Sequence, residues 1–392
     1  MIKMLFALAY KNITGAKLRT WLNVASLSFI YVLIVWHQSL FIGMQEEGTT
    51  NVIEGEAGAG QYWQEDYDPF DPIALDESNA EIKGYLDDLI KSSKAFPQLI
   101  VPGTIYPQGR MTNIILRGVT PDQDILKLDF TALNNKTGDI PVILGTRMAG
   151  KLGLKEGDYL TVRFRDAMGT FDAIDARLLK VVKMKVPGMD RNQLWFHIKD
   201  LHELTGLYNK ATIITVAPDV EISKVEGWIF RGHDFLLSDL NDMIITKKVG
   251  GAIMYLIFLF LAMLAVFDTQ ILSIFRRKKE IGTLISLGMT RKQVVGLFTL
   301  EGSMHGILAA IAGAIYGTPL LMLFARHGLK MPEGAMDEYG YAIADTIYPI
   351  YSVFLVLGTI LIIMTTVIIV SYLPSRKISK MNPTEALKGK IS

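Results

Sequence analysis

Four apolar runs decide what this chain can become. Residues 21–44, 249–274, 302–325 and 350–373 are each long enough to cross about 30 Å of hydrocarbon at 1.5 Å per helical residue. Between the first two lies a polar stretch, 45–248, long enough to bury a core of its own without disulfides. Composition agrees: half of the 392 residues are hydrophobic, too many for an ordinary soluble protein and too few for spans alone. The expectation is therefore a membrane α-helical protein of four transmembrane helices. A large α+β extracytoplasmic (periplasmic) domain is inserted between the first and second.

The first run could also be read as a secretory signal. It is longer than a usual signal core, however, and is followed by Gln45-Glu46-Glu47 instead of a small-x-small site, so an uncleaved anchor is the expectation. Ahead of it, 1–20 carries Lys3, Lys11, Lys17 and Arg19 and no acid, with Ile2, Leu5, Phe6, Ala9 and Ile13 on one face. That pattern suits a helix lying in the membrane interface.

Basic residues set the topology. The N-terminal segment, the 275–298 connection and the 374–392 tail are rich in Lys and Arg, whereas 326–349 carries Glu333, Asp337, Glu338 and Asp345. The positive-inside rule puts both termini and the 275–298 connection in the cytoplasm, and 45–248 and 326–349 outside. The third span is taken as 299–325. Its Gly302, Gly306, Gly313 and Gly317 recur at helical spacing, with Ala309 and Ala310 between them. Small residues on one face let a neighbouring helix approach closely, in the same chain or in a partner.

In the outer stretch, 98–106 and 111–119 are β-branched runs split by a Pro/Gly turn. Residues 119–128 read as a short helix, 141–145 as a strand leading into a helix over 146–151, and 211–218 as a final strand. Strands first and last around short helices argue α+β. The carboxylates of EDYDPFDP lack EF-hand spacing and its central glycine, so they read as a solvated loop. His197, His202 and Glu203 are candidate ligands, but adjacent residues on a helix point apart. Near the outer end of the first span, His37 and Gln38 read as interfacial.

Chemistry is conspicuous by what is missing. There is no cysteine, no G-x-x-x-x-G-K-[ST] and no HExxH, so nucleotide binding by this chain, thiol catalysis and cysteine–zinc sites are not expected. Net charge is +1 and gives no reason to expect a nucleic acid. Intramembrane ionisables are few: Asp268 late in the second span, Glu301 and His305 early in the third. Such charges are costly and are often functional. The expectation for both acids is an ion pair or cap near the basic connection, with a proton relay as the alternative.

That connection is the most informative stretch. Arg276, Arg277, Lys278 and Lys279 are followed by Glu280 and a helical pattern through Ile281, Leu284, Ile285 and Leu287. Gly288 sits where a helix would stop. Thr290-Arg291-Lys292-Gln293 has capping-box form and starts the next helix. A rigid helical elbow with a basic collar can either fix orientation only or receive force from a soluble partner. Further on, Asn382 can cap a helix that has Pro383 at its first position.

The motif K-K-E-I-G-T-L-x-x-L-G-M-T-x-x-Q at 278–293 resembles the stretch after the second span of type VII ABC transporter permeases, the FtsX/MacB/LolE family. A-Y-K-N-I at 9–13, the phrase at 142–162 and the ending Asn382-Pro383-Thr384-Glu385-Ala386-Leu387 are similar to the same family, with the outer phrase leaning toward LolC/LolE. Asp268-Thr269 departs from the Asn-Thr common there. The resemblance implies that Arg276, Arg277, Lys278, Lys279, Glu280, Gly282, Leu287, Gly288 and Thr290 couple the chain to an ATPase. Asn382, Pro383, Glu385 and Leu387 would lie near that ATPase. It implies a non-enzymatic subunit of the inner membrane, with ATP and magnesium bound by two partner ATPase subunits. A second permease copy or paralogue, membrane lipids, and a lipoprotein cargo with its periplasmic acceptor complete the implied partners. Motion would pass from ATPase to outer domain, most simply to release lipoproteins. The alternatives are FtsX-like regulation of a cell-wall hydrolase and MacB-like export with an adaptor. A sensor working without an ATPase is a further class, and the elbow argues against it.

Overall fold

A computed structural model describes residues 7–9, 11–12, 17–71, 75, 77–135, 138–330 and 346–380. Two units emerge: Met1–Met44, Ile245–Lys330 and Thr346–Ser392 in one, Gln45–Ile244 and Met331–Asp345 in the other.

The helical unit is organised by α1 (Lys17–Val52), α2 (Ser238–Arg276), α3 (Lys278–Ser286), α4 (Arg291–His327) and α5 (Val353–Ser375). Four of these, all but α3, are long and apolar enough to cross a membrane. They share a core of Leu27, Tyr31 and Ile34 from α1, Val266 from α2, Ala309 from α4 and Val367 from α5. Large apolar side chains remain uncovered elsewhere on them, among them Phe260, Ile315 and Phe354, as lipid contact demands. The N-cap of α5 is Ser352, whose hydroxyl accepts the Leu355 N–H at 3.0 Å.

Two helices outrun their apolar segments. The hydropathy pattern ends the first at 44 and starts the second at 249, yet α1 continues to Val52 and α2 already begins at Ser238. At 39 residues, α2 is roughly 58 Å long, about twice the hydrocarbon thickness. The polar extensions stay helical because their apolar residues find a core. Val52 of α1 and Leu240 of α2, with the flanking Ile53, Leu236 and Leu237, join one cluster with Ile143, Met184 and Trp195.

The glycine face of α4 divides between two neighbours within the same chain. A Cβ at Gly302 would lie 2.1 Å from Ser371 Oγ, and one at Gly306 would lie 2.9 Å from Met364 Sδ, both on α5. At Gly317 it would lie 2.5 Å from Val32 Cγ2, and at Gly313 3.5 Å from the Ser28 carbonyl, both on α1.

The outer unit is built on a nine-stranded sheet. Its strands are β1 (Gln61–Gln64), β2 (Ala95–Ile105), β3 (Thr112–Val119), β4 (Ile140–Gly145) and β5 (Tyr159–Arg165). They continue with β6 (Phe171–Val182), β7 (Gln193–His197), β8 (Ile213–Val216) and β9 (Trp228–Arg231). Spatial order is β9-β1-β8-β2-β3-β7-β4-β6-β5, with β2 also pairing β5. That last pairing, Gly103–Ile105 against Val162–Phe164, closes six strands into a barrel. Alternation along the strands fills it: Val142 and Leu144, Leu160, Val162 and Phe164, Leu194 and Phe196 all point inward. Each such side chain contributes about 2 kcal/mol by leaving water. Gly103 is required at the closure, since a Cβ there would lie 2.7 Å from Leu116. Short helices Thr146–Leu152 and Ile198–Thr205 pack onto the same core through Met148, Ile198 and Leu201.

The α+β expectation holds only in coarse form: a sheet-rich domain with short helices. The helix expected over 119–128 is replaced by turns. Gln123 explains this, since its Oε1 accepts the Leu126 N–H at 2.7 Å and its Nε2 donates to the Leu126 carbonyl at 3.0 Å. A side chain thus supplies what helical neighbours would have supplied. The strand at 211–218 is not the last either, because β9 follows.

Candidate functional site

The elbow is assembled from local signals and a distant charge set. The helix α2 ends at Arg276, and Arg277 leaves helical geometry at φ −100° and ψ 19° before α3 begins. A single helix running on to Gly288 was expected, so this break is a correction; no glycine or proline marks it. At the far end of α3, Gly288 takes φ 97°. There the Met289 N–H donates to the Leu284 carbonyl and the Gly288 N–H to the Ile285 carbonyl, each at 3.1 Å. This is a Schellman stop, with the Leu284–Met289 apolar pair that accompanies it. Thr290 then caps α4. Its hydroxyl accepts the Gln293 N–H at 3.3 Å, and Gln293 Oε1 accepts the Thr290 N–H at 2.7 Å.

The elbow has its own small core. Ile274, Ile281, Val294, Val295 and Phe298 pack with Ile378 from the turn that follows α5. Ala9 packs against Leu297 and Met304, joined by Leu8, Leu284 and Leu300. Leu8 and Ala9, the end of α2, α3 and the start of α4 are therefore packed together. Gly282 is buried in this arrangement.

The four consecutive cations do not act alike. Arg276 and Lys279 are exposed, as are Arg291 and Lys292 beyond the turn, and Leu287 stands out between them at 78% exposure. Lys278 lies over the Phe275 ring, 4.8 Å from its centroid. Arg277 turns inward. Its Nε and Nη2 donate to the Glu280 carboxylate at 2.7 and 2.5 Å, and its Nη1 donates to Glu301 Oε2 at 2.6 Å. The guanidinium lies 4.7 Å from the Phe298 ring centroid. The second oxygen of Glu301 accepts from Asn12 Nδ2 at 2.5 Å. An ion pair near the basic connection was the expectation for Glu301, and Arg277 supplies it, because a buried carboxylate outcompetes solvent for its fork of donors.

The two membrane acids separate. Glu301 has its ion pair. Asp268 is exposed on α2 and, among the described residues, has no ion-pair partner. His305 Nδ1 lies 2.8 Å from the Glu301 carbonyl. A narrow crevice lined by Asn23, Thr269, Gln270, Gly302 and His305 opens beside these groups. The tail residues Asn382, Pro383, Glu385 and Leu387 lie outside the described residues, as do Glu333, Asp337, Glu338 and Asp345.

In the outer domain, the proposed ligand histidines have structural partners. His197 Nδ1 accepts the Lys199 N–H at 3.0 Å and caps a helix. His202 Nε2 donates to the Lys210 carbonyl at 2.8 Å. In the first span, His37 packs edge-on against Phe41 and Phe258. Sequence reasoning missed Asn12 and Phe298. Their only signal is that an acid at 301 and an unpaired arginine fork at 277 each need company.

Residues 252–383, which contain α2 from Ala252 onward, the elbow and the third and fourth spans, match the family described as FtsX-like permease C-terminal. An uncharacterized ABC transporter permease of Methanocaldococcus jannaschii is 24% identical over 229 residues, covering 54% of this chain and 55% of the relative. The chain thus spans about half the length of the curated relative it matches. Together the comparisons support the ABC transporter permease family, and with the four long apolar helices they support a multi-pass membrane protein.

Proposed function

We propose that this chain is the membrane subunit of an ABC transporter and passes ATP-driven motion from a separate ATPase to its outer domain. The observation that carries this reading is the elbow itself. It is pinned at both ends by helix stops, packed on its own core, and carries Arg276, Lys279, Leu287, Arg291 and Lys292 as exposed side chains. An exposed apolar side chain on a connection rich in exposed cations fits an acidic-rimmed groove on a soluble partner. The continuous run of α2 from Ser238 to Arg276 supports transmission, because an unbroken helix carries displacement along its axis with little loss.

Orientation follows the basic residues: the elbow lies in the cytoplasm of the inner membrane, and the barrel domain lies outside. The chain contributes no nucleotide chemistry; ATP and magnesium belong to the partner. The substrate is handled outside, and the likeness of the phrase at 142–162 to LolC/LolE supports lipoproteins as the cargo class. A second permease copy or paralogue completes the assembly.

The test is chemical cross-linking in native membranes followed by photolabelling with an azido-ATP analogue. A labelled ATPase should co-purify with the wild-type chain and be lost from an Arg276→Glu/Lys279→Glu/Leu287→Asp variant that still inserts. An associated lipoprotein that stimulates hydrolysis supports release. A cell-wall hydrolase bound to the outer domain turns the reading to regulation. Retention of the ATPase by the triple variant overturns the elbow as its docking site.

A further inference from the structure

We propose that Arg277 and Glu301 form a latch that makes the N-terminal segment, the elbow and the third span a single moving body. The inference rests on reading the elbow as the place where an ATPase acts, and it assigns Arg277 a positioning role separate from docking.

Geometry argues for a latch over a surface ion pair. The Glu301 side chain is 6% exposed and that of Arg277 is 19% exposed. Little of Arg277 is left to meet a soluble partner. Its donors divide between two carboxylates on different elements: Glu280 on α3, gripped through two nitrogens, and Glu301 on α4. Only a planar guanidinium can serve both, since a lysine ammonium has no such fork. Phe298 backs the guanidinium and keeps water from one face. Both oxygens of Glu301 are engaged, one by Arg277 and one by Asn12.

Position gives the latch its mechanical meaning. Glu301 lies ten residues beyond Arg291, where α4 begins, which places it roughly 15 Å along the helix axis. Without it, the elbow would reach α4 only through the short link at 287–290 and the apolar contacts near it. With it, a displacement of α3 is also delivered to the third span nearly three turns in. Asn12 and the Ala9–Leu297–Met304 contacts tie the N-terminal segment to the same point. A buried pair is demanding: removing one partner strands a charge, so the arrangement is held either whole or not at all.

The chain has no cysteine, which makes site-directed spin labelling clean. Labels are placed at Thr283→Cys on α3 and Ile307→Cys on α4, both exposed positions. In the wild-type background, electron–electron distances between them should be narrowly distributed. With the ATPase bound, the distance should stay the same in ATP, ADP–vanadate and ADP. In Glu301→Gln, which keeps size but loses charge, the narrow distribution should be lost without nucleotide, and with the ATPase bound the distance should become nucleotide-dependent. Arg277→Lys, which keeps charge but loses the fork, should behave alike; both should retain the ATPase. A wild-type distance that changes with nucleotide, or variants with unaltered distributions, would overturn the latch. If no ATPase binds the wild-type chain, the functional reading fails, while the comparison without nucleotide still decides the latch.

Discussion

Replacing Gly302 with alanine tests how tightly the third and fourth spans are sealed. A Cβ added there would sit 2.1 Å from Ser371 Oγ and 2.6 Å from both Ser371 Cβ and Gln270 Nε2. The nearest approach is 1.3 Å short of ordinary contact at 3.4 Å. Ser371 is fully buried, and its Cβ is fixed to the helix, so rotating the hydroxyl away does not resolve the clash. Overpacking of this kind costs about 1–3 kcal/mol, while alanine gains up to about 1 kcal/mol over glycine in helix propensity. Gly358→Ala on α5 is the control, since a Cβ there meets nothing within 4 Å. The two variants should differ by roughly 2 kcal/mol. The assay is equilibrium unfolding of the full chain in mixed micelles against rising denaturing detergent. Gly302→Ala should lower the midpoint, Gly358→Ala should leave or raise it, and Ser371→Gly should rescue Gly302→Ala. Equal midpoints for the two alanine variants would refute the close approach, and failure of Ser371→Gly to rescue would refute Ser371 as its cause.

Thr290→Ala removes the capping box and should cost about 1 kcal/mol locally, seen as faster amide exchange at Gln293 and Val294; unchanged exchange would place the helix start elsewhere. Asp190→Ala removes the fully buried carboxylate that lies 3.0 Å from Arg147 Nη1. Outer-domain stability should fall by about 3–5 kcal/mol, read by the emission of buried Trp195. Burial holds the His202 imidazole below its ordinary 6.5, so the unfolded chain takes up that proton first. Outer-domain stability should therefore decline as pH falls through 6.5 toward the lower folded value. His202→Gln, which can still donate to the Lys210 carbonyl, should flatten that slope.

What the sequence disclosed follows the range of the interactions involved. The stop at Gly288 and the restart at Thr290 are written within a few neighbouring residues, so both are legible. The break at Arg277 is not, because its cause lies at Glu301 and Asn12, far along the chain. The glycine face of α4 is plain from spacing, but its division between α5 and α1 depends on where each helix crosses. Residues 119–128 show the reverse case: a helical pattern undone by the amide of Gln123. Barrel closure hangs on Gly103 meeting β5, a pairing that no local pattern announces.

The cluster around Ile143, Met184 and Trp195 receives both helical ends of the outer domain, Val52 and Ile53 from one and Leu236, Leu237 and Leu240 from the other. Both ends therefore meet on a single patch, whose Ile143 and Trp195 alternate along their strands with lumen-facing Val142, Leu144, Leu194 and Phe196. A change in that patch is therefore felt directly by two barrel strands, β4 through Ile143 and β7 through Trp195.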